Sequence, residues 1–336
     1  MTYPSMQSRN KYIDFLRFVG LAMIVLAHVK APFTIHQIRC FDVPLMLFVS
    51  GLAYGNKTVR ASWKEYFLPR LKRLLIPIYI FVFLDLIALT LLDKALTFDS
   101  IIKSILLCTN GAVGYVWIIK VFVLVMFATP ILIKINNRLS NLSFLVFIVV
   151  LFFIQEGLIS ITQYITNPIV NDIYTETIPY LLGYSIPFIF GLRLRQCDKK
   201  SEHLFLSLIS LTSIIFVIIY VTRYGTLIAI TPTFKYPPHS YFLIYGLLAS
   251  AILWKSIIFL SNLTKIKLFT FIGENTIWIY IWHIIFVSFA NIYIKNWIIK
   301  YILVLSLAVL IYHVQYSIVN RLLNKTQRSY LKYFIG

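Results

Sequence analysis

The sequence predicts an all-α, polytopic transmembrane helical bundle of about ten spans, with both termini cytoplasmic. Only 13% of its 336 residues are charged and 60% are hydrophobic, whereas soluble domains carry about 25% charged residues. Apolar runs of about 17–22 residues recur along the chain, which is the length that crosses a bilayer as a helix. Lysine and arginine are concentrated in alternate connecting segments, which the positive-inside rule assigns to the cytoplasm.

Ten apolar segments are distributed along the whole chain. They lie at roughly 12–30, 41–56, 74–92, 115–133, 142–160, 177–192, 204–221, 240–254, 268–289 and 298–319. Segment 98–113 is half-apolar and too short to span, so we expect an interfacial or re-entrant helix on the outer side. Residues 1–336 are therefore expected to form a single membrane domain with no appended soluble domain.

The net charge of +19 has an explanation in the membrane itself. Cytoplasmic loops of membrane proteins are basic, and basic groups attract anionic headgroups. We therefore expect membrane lipids as partners and no nucleic acid. The three cysteines are too few and too scattered for a metal site, so no metal is expected.

The first predicted span carries three residues that do not suit lipid. Asp14, Arg17 and His28 lie in KYIDFLRFVGLAMIVLAH. A helix turns about 100° and rises about 1.5 Å per residue, so the three share one stripe, with His28 about 16 Å above Arg17. A charge inside the membrane costs several kcal/mol unless it faces protein or water. The stripe is therefore predicted to face a polar space, with Arg17 nearer the cytoplasm.

The loop after the second span contains the cluster PRLKRLLIP. Arg70 and Arg73 are three residues apart and share one helix face, with Lys72 beside them. Guanidinium groups bind phosphate in a bidentate manner, and a helix beginning after Pro69 would add its N-terminal dipole. The alternative is that this cluster is only a topology signal that contacts lipid headgroups.

The second span, FDVPLMLFVSGLAYG, contains Pro44, Ser50 and Gly51. Small residues let membrane helices approach closely, so this span is predicted to pack in the bundle interior. A second possibility is that Ser50 lines the site.

Four residues of the outer half are candidates for contact with an acceptor. Tyr115 and Trp117 either belong to an interfacial aromatic belt or stack on a sugar. Glu156 either binds an acceptor hydroxyl or caps a neighbouring element. His283 lies at a depth similar to that of His28, and either packs through a hydrogen bond or lines an active cavity.

These motifs, taken in order along nearly the whole chain, resemble the acyltransferase 3 family. Members are integral-membrane enzymes that O-acetylate, and sometimes succinylate, cell-surface polysaccharides and related acceptors. The matching segments are YIDFLRFVGLAMIVLAH, FDVPLMLFVSGLAYG, PRLKRLLIP, GYVWIIKVFVLVMFATP and FIGENTIWIYIWH. The spacing from Arg17 to His28, together with Arg70 and Arg73, is the most specific part. The chain departs from the family in having Phe18 where glycine is frequent, and in lacking the extracytoplasmic hydrolase-like domain of some members.

The resemblance implies a multi-pass O-acetyltransferase of the bacterial cell membrane. It implies cytosolic acetyl-CoA as the acyl donor, with its phosphates at Arg70 and Arg73 and near Lys72. The thioester would lie near His28, which would act as general base on a hydroxyl of a polysaccharide or lipid-linked glycan, or would first help to load acetyl onto the enzyme. Arg17, held by Asp14, would orient the donor or the histidine. The competing interpretation is a transporter of lipid-linked sugars or polysaccharide, but we find no clear internal repeat of the kind that transporters often show.

Overall fold

A computed structural model describes residues 10–55, 63–92, 95–225, 234–257, 259–326 and 329–335. Every regular element in these ranges is a helix, which confirms the predicted all-α class. The α-helices are α1 Lys11–His28, α2 Phe33–Ile38, α3 Asp42–Tyr54, α4 Trp63–Leu91, α5 Phe98–Ile105, α6 Trp117–Arg138, α7 Asn141–Ile161, α8 Pro168–Gln196, α9 Lys199–Tyr224, α10 Ser240–Ser256, α11 Lys267–Glu274, α12 Thr276–Tyr293 and α13 Trp297–Thr326.

Seven of the helices in the described ranges are long and apolar enough to cross a membrane: α4, α6, α7, α8, α9, α12 and α13. The chain is therefore a multi-pass helical membrane protein. Helices also occupy the remaining predicted segments, as α1, α3 and α10. The count of ten spans and the side on which the termini lie remain predictions.

Two differences from the expected helix boundaries bear on the site. Helix α4 begins at Trp63, so Pro69 lies inside the helix and does not begin it. The ninth segment is not one helix, because it is interrupted at Asn275. There the Asn275 amide donates to the Phe271 carbonyl over 2.7 Å, while its oxygen accepts from the Tyr312 hydroxyl over 2.7 Å. A side chain that binds the backbone locally competes with the helical pattern, and here it separates α11 from α12.

Helix α3 lies in the interior of the bundle, as its small residues predicted. Ten of its 13 residues are buried. It packs directly on α8, where a Cβ added at Gly51 would lie 1.9 Å from the Phe188 carbonyl oxygen. On the other side of the same contact, a Cβ at Gly191 would lie 2.1 Å from the Phe48 oxygen. The two backbones therefore touch, which only glycine allows.

Helix α11 packs equally closely against the start of α1. A Cβ added at Gly273 would lie 1.8 Å from the carbonyl oxygen of Asp14. This contact fixes the first turns of α1, which carry Asp14 and Arg17, beside Glu274 at the end of α11. The packing thus positions the charged stripe that the sequence singled out.

Candidate active site

A cavity of about 1510 Å³ opens at the end of the bundle that contains the start of α1. Its walls also include the end of α3, the first half of α4 and the end of α8. Six cationic residues line it: Lys11, Arg17, Arg70, Arg73, Arg195 and Lys265. The acidic lining residues are Asp14 and Glu274. We call this space the basic cavity, and its charge suits a multiply anionic ligand.

Arg70 and Arg73 both line the basic cavity, as their spacing on one helix face predicted. The Arg70 guanidinium lies over the Tyr54 ring, 5.9 Å from its centroid. Because α4 begins at Trp63, Arg70 and Arg73 lie well inside the helix. The expected helix N-terminus at Pro69 therefore does not contribute its dipole at these two residues. Lys72 is exposed and is not part of the cavity lining.

Sequence reasoning missed Arg195 and Lys265 as parts of this site. Both belong to the basic segments that the positive-inside rule assigns to the cytoplasm. Arg195 lies in the last turn of α8, and its side chain packs where a Cβ at Gly55 would approach it to 2.2 Å. Nothing in their local sequence distinguishes these two cations from a topology signal, so only the packing of distant helices shows that they face the cavity.

The Asp14–Arg17 pair sits in the wall of the basic cavity. Arg17 Nη1 donates to Asp14 Oδ1 over 3.0 Å, and the Asp14 side chain is only 2% exposed. Two residues one turn apart on a helix meet in this way. The carboxylate therefore restricts the guanidinium of Arg17, which is the arrangement that the sequence suggested.

His28, at the other end of α1, lines a second cavity of about 350 Å³. We call it the His28 pocket; its lining includes Phe33, His36, Gln37, Arg39, Asp42, Trp117, Ile118, Lys235 and Tyr236. Among the described residues, none lines both cavities. On α6 the nearest lining residues are Ile118 and Phe122, about 6 Å apart along the helix axis. On α1 the nearest lining residues are Arg17 and Ile24, about 10 Å or two helical turns apart. The single polar space expected along the stripe is therefore two separate cavities.

His28 is hydrogen-bonded to His283 of α12. His28 Nδ1 and His283 Nε2 are 3.0 Å apart, and His283 Nδ1 is bonded to the Tyr280 carbonyl oxygen. A carbonyl only accepts, so His283 carries its proton on Nδ1, and its Nε2 accepts from Nδ1–H of His28. A neutral His28 then keeps a lone pair on Nε2. His283 is fully buried and does not line the pocket, so of the two roles considered for it the hydrogen-bonded one is observed.

Trp117 lines the His28 pocket, Tyr115 contacts His28 without lining the pocket, and Glu156 lies elsewhere. Trp117 is 6% exposed and lines the pocket. The Tyr115 ring meets the His28 ring edge-on, with centroids 4.8 Å apart. Glu156 instead accepts from His239 Nδ1 over 2.9 Å and from the Ser240 amide over 2.6 Å. It caps the start of α10, which is the second of the roles considered for it.

A cluster of charged residues in the His28 pocket was not foreseen. Asp42 accepts from Arg39 Nη1 over 2.6 Å and lies 3.3 Å from the Lys235 ammonium. All three side chains are at most 3% exposed. Asp42 begins α3 and Arg39 lies three residues before it, a spacing that signals an ion pair. Lys235 comes from a distant loop, and its sequence gives no such signal.

His36 completes this cluster and is neutral. The Arg39 Nη2 atom lies 2.8 Å from His36 Nε2. Burial, followed by the nearby charges of Arg39 and Lys235, lowers the pKa of His36 to about 4. At neutral pH the cluster thus contains two cations and one carboxylate.

The fold and the two cavities define a multi-pass membrane protein with a cationic binding space at one end and a paired histidine at the other. A family model described as an acyltransferase domain matches residues 10–313. The chain belongs to this family, acyltransferase 3, and is a membrane acyltransferase. No curated protein and no solved structure matches the chain.

Proposed function

We propose that the protein transfers an acyl group, most simply acetyl, from cytosolic acyl-CoA to a hydroxyl of a cell-surface polysaccharide or lipid-linked sugar. It would do so in the plasma membrane of a bacterial cell. The observation that carries this proposal is the hydrogen bond from His28 to His283, since it leaves a basic nitrogen on a histidine that lines a cavity. Histidine is the side chain best suited to general-base catalysis near neutral pH.

The basic cavity suits the phosphates of the donor. Arg70 and Arg73 provide planar, permanently charged groups on one helix face, and Arg195 and Lys265 add charge from other elements. The pantetheine arm is thin and long, and it would extend along α1 past Arg17. A rearrangement of side chains in the layer between the cavities, about one turn of α6 thick, would bring the thioester to His28.

The transfer step uses His28 first as a base and then as an acid. Nε2 of His28 takes the proton from the acceptor hydroxyl as its oxygen attacks the thioester carbonyl. The carbon–sulfur bond then breaks, and the sulfur of CoA leaves with the proton held by His28. During this step Nδ1–H of His28 continues to donate to His283, so the imidazolium keeps its orientation.

The proposal is tested by comparing two histidine variants in the same cells and in nanodiscs. His28→Gln is expected to lower the rate of acetyl transfer by about 10²–10⁴-fold, the usual contribution of a general base. His313→Gln is the matched control, because His313 is exposed on α13 and lines neither cavity. The readouts are O-acetyl signals in the NMR spectra of envelope glycans and release of CoA by purified protein. Normal transfer by His28→Gln would refute the role of His28.

Binding of the donor is measured separately from catalysis. Acetyl-CoA at a concentration far above its Kd must raise the unfolding temperature of a protein whose native state binds it. His28→Gln should keep this stabilisation, since His28 lies outside the basic cavity. No stabilisation of the wild-type protein would refute the assignment of acyl-CoA as donor.

A further inference from the structure

The His28 pocket holds more positive charge than its own residues neutralise. Arg39 and Lys235 share the single carboxylate of Asp42, and no other acidic residue is among the described residues that line the pocket. His36 is uncharged at neutral pH. The described lining therefore has a net charge of about one positive unit.

This charge is held in a nearly dry environment. Arg39 and Lys235 are each 3% exposed. The Lys235 ammonium is surrounded by aromatic rings, with ring centroids of Tyr236, Trp117 and Phe242 at 5.6, 5.8 and 5.9 Å. Removing an ion from water costs several kcal/mol, and cation–π contacts offset only part of this. A buried cation without a full counter-charge is costly to keep, and an anionic ligand would offset that cost.

The hydrogen-bonding pattern also leaves room for an anionic ligand. Arg39 uses Nη1 for Asp42 and Nη2 for His36, while its Nε has no hydrogen-bond partner among the described residues. Lys235 approaches Asp42 at 3.3 and 3.5 Å, longer than the usual charge-assisted hydrogen bond. Arg39 thus keeps one guanidinium nitrogen without a described partner and Lys235 is a loosely paired ammonium, and both residues line the pocket together with His28.

We propose that the acceptor is an acidic glycan, and that Arg39 and Lys235 bind a carboxylate or phosphate group of the sugar unit whose hydroxyl faces His28. This inference rests on the proposed function, because it concerns the acceptor of that reaction. The pocket volume of about 350 Å³ is at the lower end of the range for ligand pockets, which fits one sugar unit of a larger polymer. Trp117 and Tyr236 provide apolar walls for the ring.

These cations would also stabilise the oxyanion of the tetrahedral intermediate, which exists only during transfer. Groups that stabilise such an oxyanion are in place before the reaction, so the burial of Arg39 and Lys235 and their contacts with Asp42 do not separate the two roles. The roles differ in the quantity they change: binding of an anionic sugar changes Kd, and stabilisation of the intermediate changes kcat.

The experiment compares three sugars that differ at one carbon. The probes are methyl β-glucoside, methyl β-glucuronide and methyl β-glucoside 6-phosphate, added without acyl donor to protein in nanodiscs. Apparent Kd values come from the ligand-dependent rise of the unfolding temperature. At least one anionic sugar should bind the wild-type protein about tenfold more tightly than the glucoside, a difference of about 1.4 kcal/mol. The anionic sugar with the lower Kd shows whether the pocket favours a carboxylate or a phosphate.

Three substitutions test whether Lys235 is responsible. Lys235→Met should bring the anionic sugar to the Kd of the neutral one and leave the neutral one unchanged. Lys235→Arg should keep the preference, because it keeps the charge. Lys295→Met removes the same charge from an exposed position outside both cavities and should behave as wild type.

Equal Kd values for the neutral and both anionic sugars in the wild-type protein would overturn the inference, whether or not any variant folds. So would a Lys235→Met protein whose kcat falls by the same factor for neutral and anionic acceptors at unchanged Kd, because the cations would then act on the reaction intermediate. Sugar binding is measured without acetyl-CoA. A failure of acetyl transfer would therefore count against the proposed function alone.

Discussion

His28 and His283 are 255 positions apart in the sequence, yet Nδ1 of one lies 3.0 Å from Nε2 of the other. Their rings are nearly parallel, at 19°, with centroids 5.2 Å apart. The packing of α1 against α12 creates this contact, and the Tyr280 carbonyl determines its direction by accepting from Nδ1 of His283. A fully buried residue thus determines which nitrogen of a pocket residue is basic.

His283→Ala should lower kcat while leaving the acetyl-CoA KM nearly unchanged. The loss is expected to be about 10–100-fold, by analogy with the partners that orient metal-binding histidines. His283→Gln should recover part of the rate, because its amide oxygen can accept from Nδ1–H of His28. Steady-state kinetics in nanodiscs would measure both. If the two variants lose activity equally, and in proportion to a lowered unfolding temperature, His283 serves only the packing of α12.

Acyl transfer should depend on pH through His28. The base must be unprotonated to take the hydroxyl proton, so kcat/KM should rise with pH until His28 is neutral and then level off. His283→Ala should shift the pH at which kcat/KM levels off, since it removes the group that accepts the hydrogen bond from His28. The profile is measured at saturating donor and low acceptor concentration. A wild-type rate that falls as pH rises through the range where histidine titrates would contradict a general base.

An Arg70→Ala/Arg73→Ala double variant should bind the donor more weakly. Each guanidinium–phosphate contact is a charge-assisted hydrogen bond of about 1.5–3 kcal/mol, so the acetyl-CoA KM should rise at least about tenfold. Acetyl-dephospho-CoA lacks the 3′-phosphate. If the arginines contact that phosphate, the KM values of the variant and the wild type should differ less with this donor than with acetyl-CoA.

Arg138→Ala is the control for the arginine pair. Arg138 is exposed at the end of α6 and does not line the basic cavity, so its loss removes charge from the protein without changing the cavity. Its KM should stay at the wild-type value. If the double variant and the control bind acetyl-CoA equally well, the phosphates bind elsewhere.

Local sequence patterns predicted the helices and the residues that act through their nearest neighbours. The ion pair of Asp14 and Arg17 and the shared face of Arg70 and Arg73 follow from helical periodicity alone. The glycine in α3 correctly signalled contact between backbones. The first two depend on residues within one turn of each other, and the third on the small size of a residue, which a single sequence shows directly.

Contacts between distant segments could not be predicted in the same way. Lys235 joins Asp42 across 193 positions, and Lys120 of α6 pairs with Glu176 of α8 across 56. Basic residues in loops look alike in sequence whether they face lipid headgroups or a pocket, since both uses need only positive charge. The division of the polar stripe into two cavities likewise depends on the side chains of other helices, which periodicity along α1 does not contain.

The contact between Gly273 and Asp14 should be necessary for stability. An alanine methyl at position 273 would lie 1.8 Å from the Asp14 oxygen, so α11 would have to move away from α1. Forced overpacking of this kind costs about 1–3 kcal/mol, and Gly273→Ala should lower the unfolding temperature accordingly.

Gly157→Ala on α7 is the matched control, because its Cβ would meet nothing within 4 Å. Alanine favours a helix over glycine by about 1 kcal/mol, so the control should be neutral or slightly stabilising. Because the same contact fixes Arg17, Gly273→Ala should also raise the acetyl-CoA KM, and Gly157→Ala should not. A Gly273→Ala protein with wild-type stability and wild-type KM would show that α11 does not press on α1 as described.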